Sequence, residues 1–131
     1  MIDVLVLAAQ LAGASPLPMP PQDWSVLRPL PLMRSADDSP NLSGFVRAEV
    51  KAGRCTAAIA AAQGWTLRID LAVLVGPGAQ PRRVVPRAIA CPSVEQYAAG
   101  LVSSLARGNI AAAATDPDTW YRTSLTFSWP A

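Results

Sequence analysis

Cys55 and Cys91 are the residues of this chain best suited to covalent chemistry, and they lie 36 positions apart. That spacing is not the Cys-x-x-Cys of a redox-active pair, and two cysteines without histidine cannot build a structural zinc site. One structural disulfide is the chemistry they suit. Closing so long a loop contributes about 3 to 4 kcal/mol on the chain-entropy model, and the bond requires an oxidising compartment. Histidine is absent, which removes the commonest general base and the commonest metal ligand. Ser-His-Asp, Cys-His and His-zinc arrangements are thereby excluded. The carboxylates have plainer roles than catalysis. Asp37 and Asp38 sit between Ser35 and Ser39 in a loop, and Asp70 falls on the solvent side of a strand. Glu95 lies in the first turn of a helix, where the helix dipole favours it, and Asp116 and Asp118 flank a turn proline. No convergent acid–base set is visible, so the chain is read as a non-enzyme with no catalytic, metal-ligating or cofactor-binding residue.

The scaffold that holds these residues is small. At 131 residues the chain fits one domain of ordinary size. An apolar fraction of 51% against 15% charged residues implies a packed core over most of the length. Eleven basic against nine acidic residues leave a net charge of +2, too little to indicate a nucleic-acid or anionic-membrane partner. Arginines such as Arg28, Arg47, Arg68 and Arg107 read as a solvated surface.

Residues 2–13 are mostly apolar, and Ala12-Gly13-Ala14 has the small-x-small form of a signal-peptidase site. Residues 1–14 are therefore expected to be a signal peptide, too short for a stable membrane span. Residues 15–41 form a proline-rich leader, with Pro16, Pro18, Pro20, Pro21, Pro29, Pro31 and Pro40 favouring extended backbone. Its apolar members Trp24, Val26, Leu27, Leu30, Leu32 and Met33 exceed what a spacer needs, so part of the leader is expected to lie against the domain at 42–131.

Within that domain Leu42, Phe45, Val46 and Val50 recur at helical spacing, and Gly53 provides the stop. Cys55 follows, and the alanine-rich stretch 56–63 stays open between helix, strand and loop. Trp65, Leu67, Ile69, Leu71, Val73 and Val75 then alternate along one face of a strand. A turn at 76–79 leads into a second strand over 84–91, where Pro86 implies an edge, a bulge or one-sided pairing. Ser93 and Gln96 have the form of a capping box, opening a helix with the stripe Val94, Tyr97, Ala98, Leu101, Val102 and Leu105. Tyr121, Thr123, Leu125, Phe127 and Trp129 alternate in a terminal strand with a hydroxyl-rich opposite face. The fold class is α+β, a small antiparallel sheet of about three strands with two helices on one face.

The order of these pieces resembles the C-terminal domain of the TonB family of periplasmic energy transducers, in a divergent form without the family's membrane-spanning N-terminal helix. The matching segments are 42–53, 67–75, 76–79, 84–91, 93–107 and 125–129. The resemblance implies a periplasmic, non-catalytic protein-binding module of the cell envelope with a role in transport, and a TonB-dependent receptor or other envelope protein as its partner. An exposed strand edge accepts an extended partner segment by β-augmentation, and the terminal strand places Tyr121, Thr123, Leu125, Phe127 and Trp129 as the partner-binding residues. A second copy of the chain is another partner that such an edge admits. The alternative function is an accessory subunit of an envelope complex, held through Trp24, Leu27 and Met33 of the leader.

Overall fold

The computed structural model describes residues 18–35, 40–111 and 118–131. The expected signal peptide and the carboxylates of Asp37, Asp38 and Asp116 lie outside these residues.

The period-two run forms the longest strand, β3, at Gly64–Gly76, where one residue type repeats on each face of the pleat. Leu67, Ile69, Leu71, Val73 and Val75 are all at most 1% exposed and make one side of the core. The other side is supplied by two helices, α1 at Gly44–Lys51 and α2 at Pro92–Ala106. Val46 of α1 and Val94, Ala98, Val102 and Ala106 of α2 pack into the same cluster, so both helices cover one face of the sheet.

β3 is paired on both sides. Its second half takes β4, Gln80–Pro86, from Leu71↔Pro86 to Gly76↔Gln80, with a register shift between Leu74 and Val75. Its first residues take β2, Ile59–Ala61, across a tight turn at 62–63 that delivers the chain to Gly64. A Cβ at Gly64 would fall on the Trp129 carbonyl oxygen and the Pro130 Cα, and its φ is +154°, so only glycine fits this crossing. On the opposite side β5, Thr119–Pro130, pairs antiparallel along almost the whole of β3, from Gly64↔Pro130 to Val75↔Thr119. A two-residue strand of the leader, β1 at Arg28–Pro29, lies parallel to β5 with Arg28↔Tyr121 and Pro29↔Arg122.

The α+β class with two helices holds, but the sheet is mixed and has five strands rather than about three. The two extra strands come from the proline-rich leader and from the alanine-rich stretch. Neither carries an alternating pattern of its own, and both are recruited because long neighbours offer unpaired backbone groups. β4 pairs with β3 alone, as Pro86 requires. The start of α2 also differs from expectation. Cys91 is the N-cap and Pro92 the first helical residue, because the proline ring fixes φ at a helical value and needs no hydrogen bond there. Glu95, rather than the Ser93–Gln96 pair, closes the end by accepting from the Ile89 and Cys91 amides at 3.1 and 3.0 Å.

Cys55 and Cys91 are bonded, with Cα atoms 5.1 Å apart and both residues buried. The bridge fixes the segment after α1 to the N-cap of α2. Beside it the buried Glu49 accepts from Arg54 Nε at 2.6 Å. The Ser93 hydroxyl, followed by Arg54, holds the Glu49 carboxyl below its ordinary value of 4.5 despite burial.

Replacing both cysteines by alanine is expected to lower unfolding stability by about 3 to 4 kcal/mol, measured by urea denaturation of the oxidised and substituted chains. Because the Glu49 carboxyl is depressed in the folded state, its contribution is present above pH 4.5 and is lost as pH falls through the depressed value. Thermal midpoints measured from pH 7 downward should fall below that point, and E49Q should be less stable at neutral pH with a flatter acid decline.

Candidate functional site

The face of the sheet turned away from the helices is divided. Ala72 and Leu74 of β3 are fully buried, while Arg68 and Asp70 are exposed and paired with each other at 3.2 Å. The leader crosses this face. Asp23 caps a short 3-10 turn, Trp24–Val26, by accepting from the Ser25 amide at 3.0 Å and its hydroxyl at 2.6 Å. Those two bonds and the nearby Arg87 hold the Asp23 carboxyl below its ordinary range. Trp24 is buried, and the Arg87 guanidinium carbon lies 3.7 Å from its ring centroid, a cation–π contact. Arg87 is itself placed by its amide, which donates to the Asp70 carbonyl at 2.8 Å.

From this face the leader passes around the β5 edge to the helix side. Leu27 accepts from Arg122 Nε at 2.9 Å, β1 pairs at the edge, and the Leu30 amide donates to the Arg122 carbonyl at 2.8 Å. Leu30 then enters the core. Leu32 bridges Ile110, and the Met33 amide donates to the Asn109 carbonyl at 2.7 Å. Asn109, only 1% exposed, grips the leader with its side chain. Its Oδ1 accepts from the Arg34 amide and its Nδ2 donates to the Arg34 carbonyl, each at 2.8 Å. Both halves of the buried amide are thus satisfied by main chain.

Two bonds fix the orientation of every residue along the outer edge of β5. The Arg122 carbonyl faces the leader, and the Ser128 amide donates to Ser43 Oγ at 3.1 Å. The amide and carbonyl of one strand residue point the same way, and successive residues point oppositely. Ser124 and Thr126 therefore also direct their backbone groups outward, away from β3. No partner for these groups is present among the described residues. β1 covers the edge at one end and the turn Pro40–Ser43 covers it at the other. Residues 123–127 remain as an open length of about 16 Å, at roughly 3.3 Å per residue.

This open edge borders a groove of about 520 Å³ on the open face, lined by Trp24, Arg68, Asp70, Arg87, Arg122 and Ser124 among others. Its volume falls in the range typical of ligand sites. Three guanidinium groups face it against the carboxylates of Asp23 and Asp70, so the groove carries a net positive charge.

Of the terminal-strand residues singled out from the sequence, Thr123 also borders the groove, and the other four turn their side chains to the opposite face. Tyr121, Phe127 and Trp129 are buried in the core, at 8%, 2% and 9% exposure, and Leu125 packs against it. Thr123 is half-buried. Phe127 continues an aromatic row through Tyr97 to Phe45, with ring centroids 6.0 and 4.7 Å apart. These five residues also turn their backbone groups toward β3. The sequence reading did not single out Ser124, Thr126 or Arg122, although the hydroxyl-rich face of the strand was visible. No family model, curated protein or solved structure matches the chain.

Because Asn109 fastens the leader through its side chain, N109A should cost about 1 to 3 kcal/mol by leaving buried main-chain groups unpaired. Amide exchange at Met33 and Arg34 should accelerate well beyond that of β3 in the same variant.

Proposed function

We propose that this chain is a non-catalytic, TonB-like binding module of the periplasm that pairs an extended segment of an envelope protein with the outer edge of β5. The observation that carries this reading is the outward-facing, unpartnered backbone of Ser124 and Thr126, bounded by β1 and the Pro40–Ser43 turn. The leader supports it by example. At Arg28–Pro29 a short extended segment with a proline already pairs with this same edge, so the strand accepts a ribbon of backbone without demanding a matching side-chain pattern. The adjoining groove offers a surface for side chains of the added segment, which is where specificity in strand addition resides.

The Cys55–Cys91 bond is compatible with export into an oxidising compartment. Among the described residues no helix is long and apolar enough to cross a membrane. Of the leader residues expected to hold an accessory role in an envelope complex, Trp24 is buried within its own domain, while Met33, together with Met19 and Val26, is more than half exposed. Apolar side chains so placed suit a contact with another protein.

Short peptides selected from a random displayed library against the folded, oxidised chain should slow amide exchange at Ser124 and Thr126. S124P removes the outward amide without removing a ladder bond to β3, so it should leave the fold intact and weaken the selected peptides at least about tenfold. Peptides that protect other amides, or that bind the proline variant equally well, would defeat the reading.

A further inference from the structure

The charges that line the groove are not equally engaged. Arg68 is paired with Asp70 at 3.2 Å. Arg87 lies over Trp24 and, after the Ser25 bonds, helps to hold the Asp23 carboxyl below its ordinary range. Arg122 has no carboxylate partner among the described residues. Its Nε is committed to the Leu27 carbonyl at 2.9 Å, which holds the side chain against the leader and leaves the two terminal nitrogens of its guanidinium as donors. A guanidinium so held, exposed at the rim of a groove, is a preformed site for a carboxylate.

Arg122 also has a fixed relation to the open edge. Ser124 follows it by two residues on the same face of β5. A residue added beside Ser124 on the outer edge sends its side chain to that same face, since paired residues of neighbouring strands share a face. Diagonal neighbours in a sheet lie about 7 to 8 Å apart at Cα, a distance that an Asp or Glu and an arginine together span. Of the two carboxylates that face the groove, Asp70 is paired with Arg68 and Asp23 is held by Ser25 with Arg87 nearby, so neither cancels the attraction. The edge is bounded by β1 and by the Pro40–Ser43 turn. A slot closed at both ends suits one extended segment better than the continuous edge of a second sheet.

Resting on the strand-pairing reading above, we propose that the segment accepted by β5 carries an acidic side chain beside Ser124, and that this carboxylate docks on Arg122. The occupant is an extended, acidic stretch of a partner protein. Arg122 reads the charge, and the Ser124 and Thr126 backbone supplies the sequence-independent part of the affinity.

The test uses the full oxidised chain and two synthetic peptides, acetyl-Thr-Val-Glu-Val-Thr-amide and its Gln counterpart, titrated to millimolar concentration by nuclear magnetic resonance. The expected result is that both shift the Ser124 and Thr126 amides, and that the Glu peptide binds about threefold to fivefold more tightly at low salt, the range of an exposed charge pair. That preference should shrink at 0.5 M salt, as about 4 Å screening predicts, and disappear in R122Q, where the two peptides should bind alike. Equal affinities in the original chain, or a preference that survives R122Q, would overturn the acidic-segment proposal while leaving strand pairing intact. Failure of both peptides to shift the edge amides would overturn strand pairing and the proposal with it. Equal competition by N-acetylglutamate amide would overturn it too, since recognition would then be of a free anion rather than of a paired segment.

Discussion

Twelve consecutive residues of β3 pair with twelve of β5, from Gly64↔Pro130 to Val75↔Thr119, and the rest of the molecule is arranged around that ladder. A long antiparallel pair presents two faces and two outer edges, and each must be covered or left wet. The helices take one face through the odd residues of β3. β2 and β4 divide the outer edge of β3 between them. They take its two ends, and the Arg87 amide reaches the Asp70 carbonyl between them, whereas the long outer edge of β5 is met by the leader and the Pro40–Ser43 turn only at its ends. The candidate site is therefore a remainder of the packing rather than a separate module.

The disulfide belongs to the same arrangement. α1 is short, and its burial rests on Val46 and Glu49, too little apolar surface to hold a helix of this length by itself. Bonding Cys55 to the N-cap of α2 places the end of α1 next to an element with four buried apolar positions. Glu49, with Ser93 and Arg54 around it, fills the polar space beside that junction.

Much of the fold was legible in the residues, for reasons that differ by element. β3 and α2 announce themselves because a period of two runs from Trp65 to Leu71 before a continuous apolar stretch, and a period of 3.6 runs through the 15 residues of α2. The cysteine pairing followed from composition, since nothing else in the chain suits two thiols. β1 and β2 were invisible because two or three residues carry no period, and their strand character comes entirely from the partner edge. The alternation in β5 correctly grouped Tyr121, Phe127 and Trp129 on one face, which is the core face. Which backbone groups point outward depends on the strand order, and strand order is a property of the sheet as a whole. Arg122 carried no local mark, because its position at the groove rim is set by Leu27, 95 residues earlier.

That last separation has a bearing on how the chain is assembled. The leader's contacts to Asn109 and Arg122 join residues 75 and 95 positions apart, among the most distant pairings in the molecule. Closing such loops carries an entropic cost that is recovered only after their target exists. During synthesis the leader emerges before β5, the strand it wraps. Leu30, whose amide bonds the Arg122 carbonyl and whose side chain enters the core, has its site only once β5 has paired, so the strap beside the open edge depends on a strand made after it.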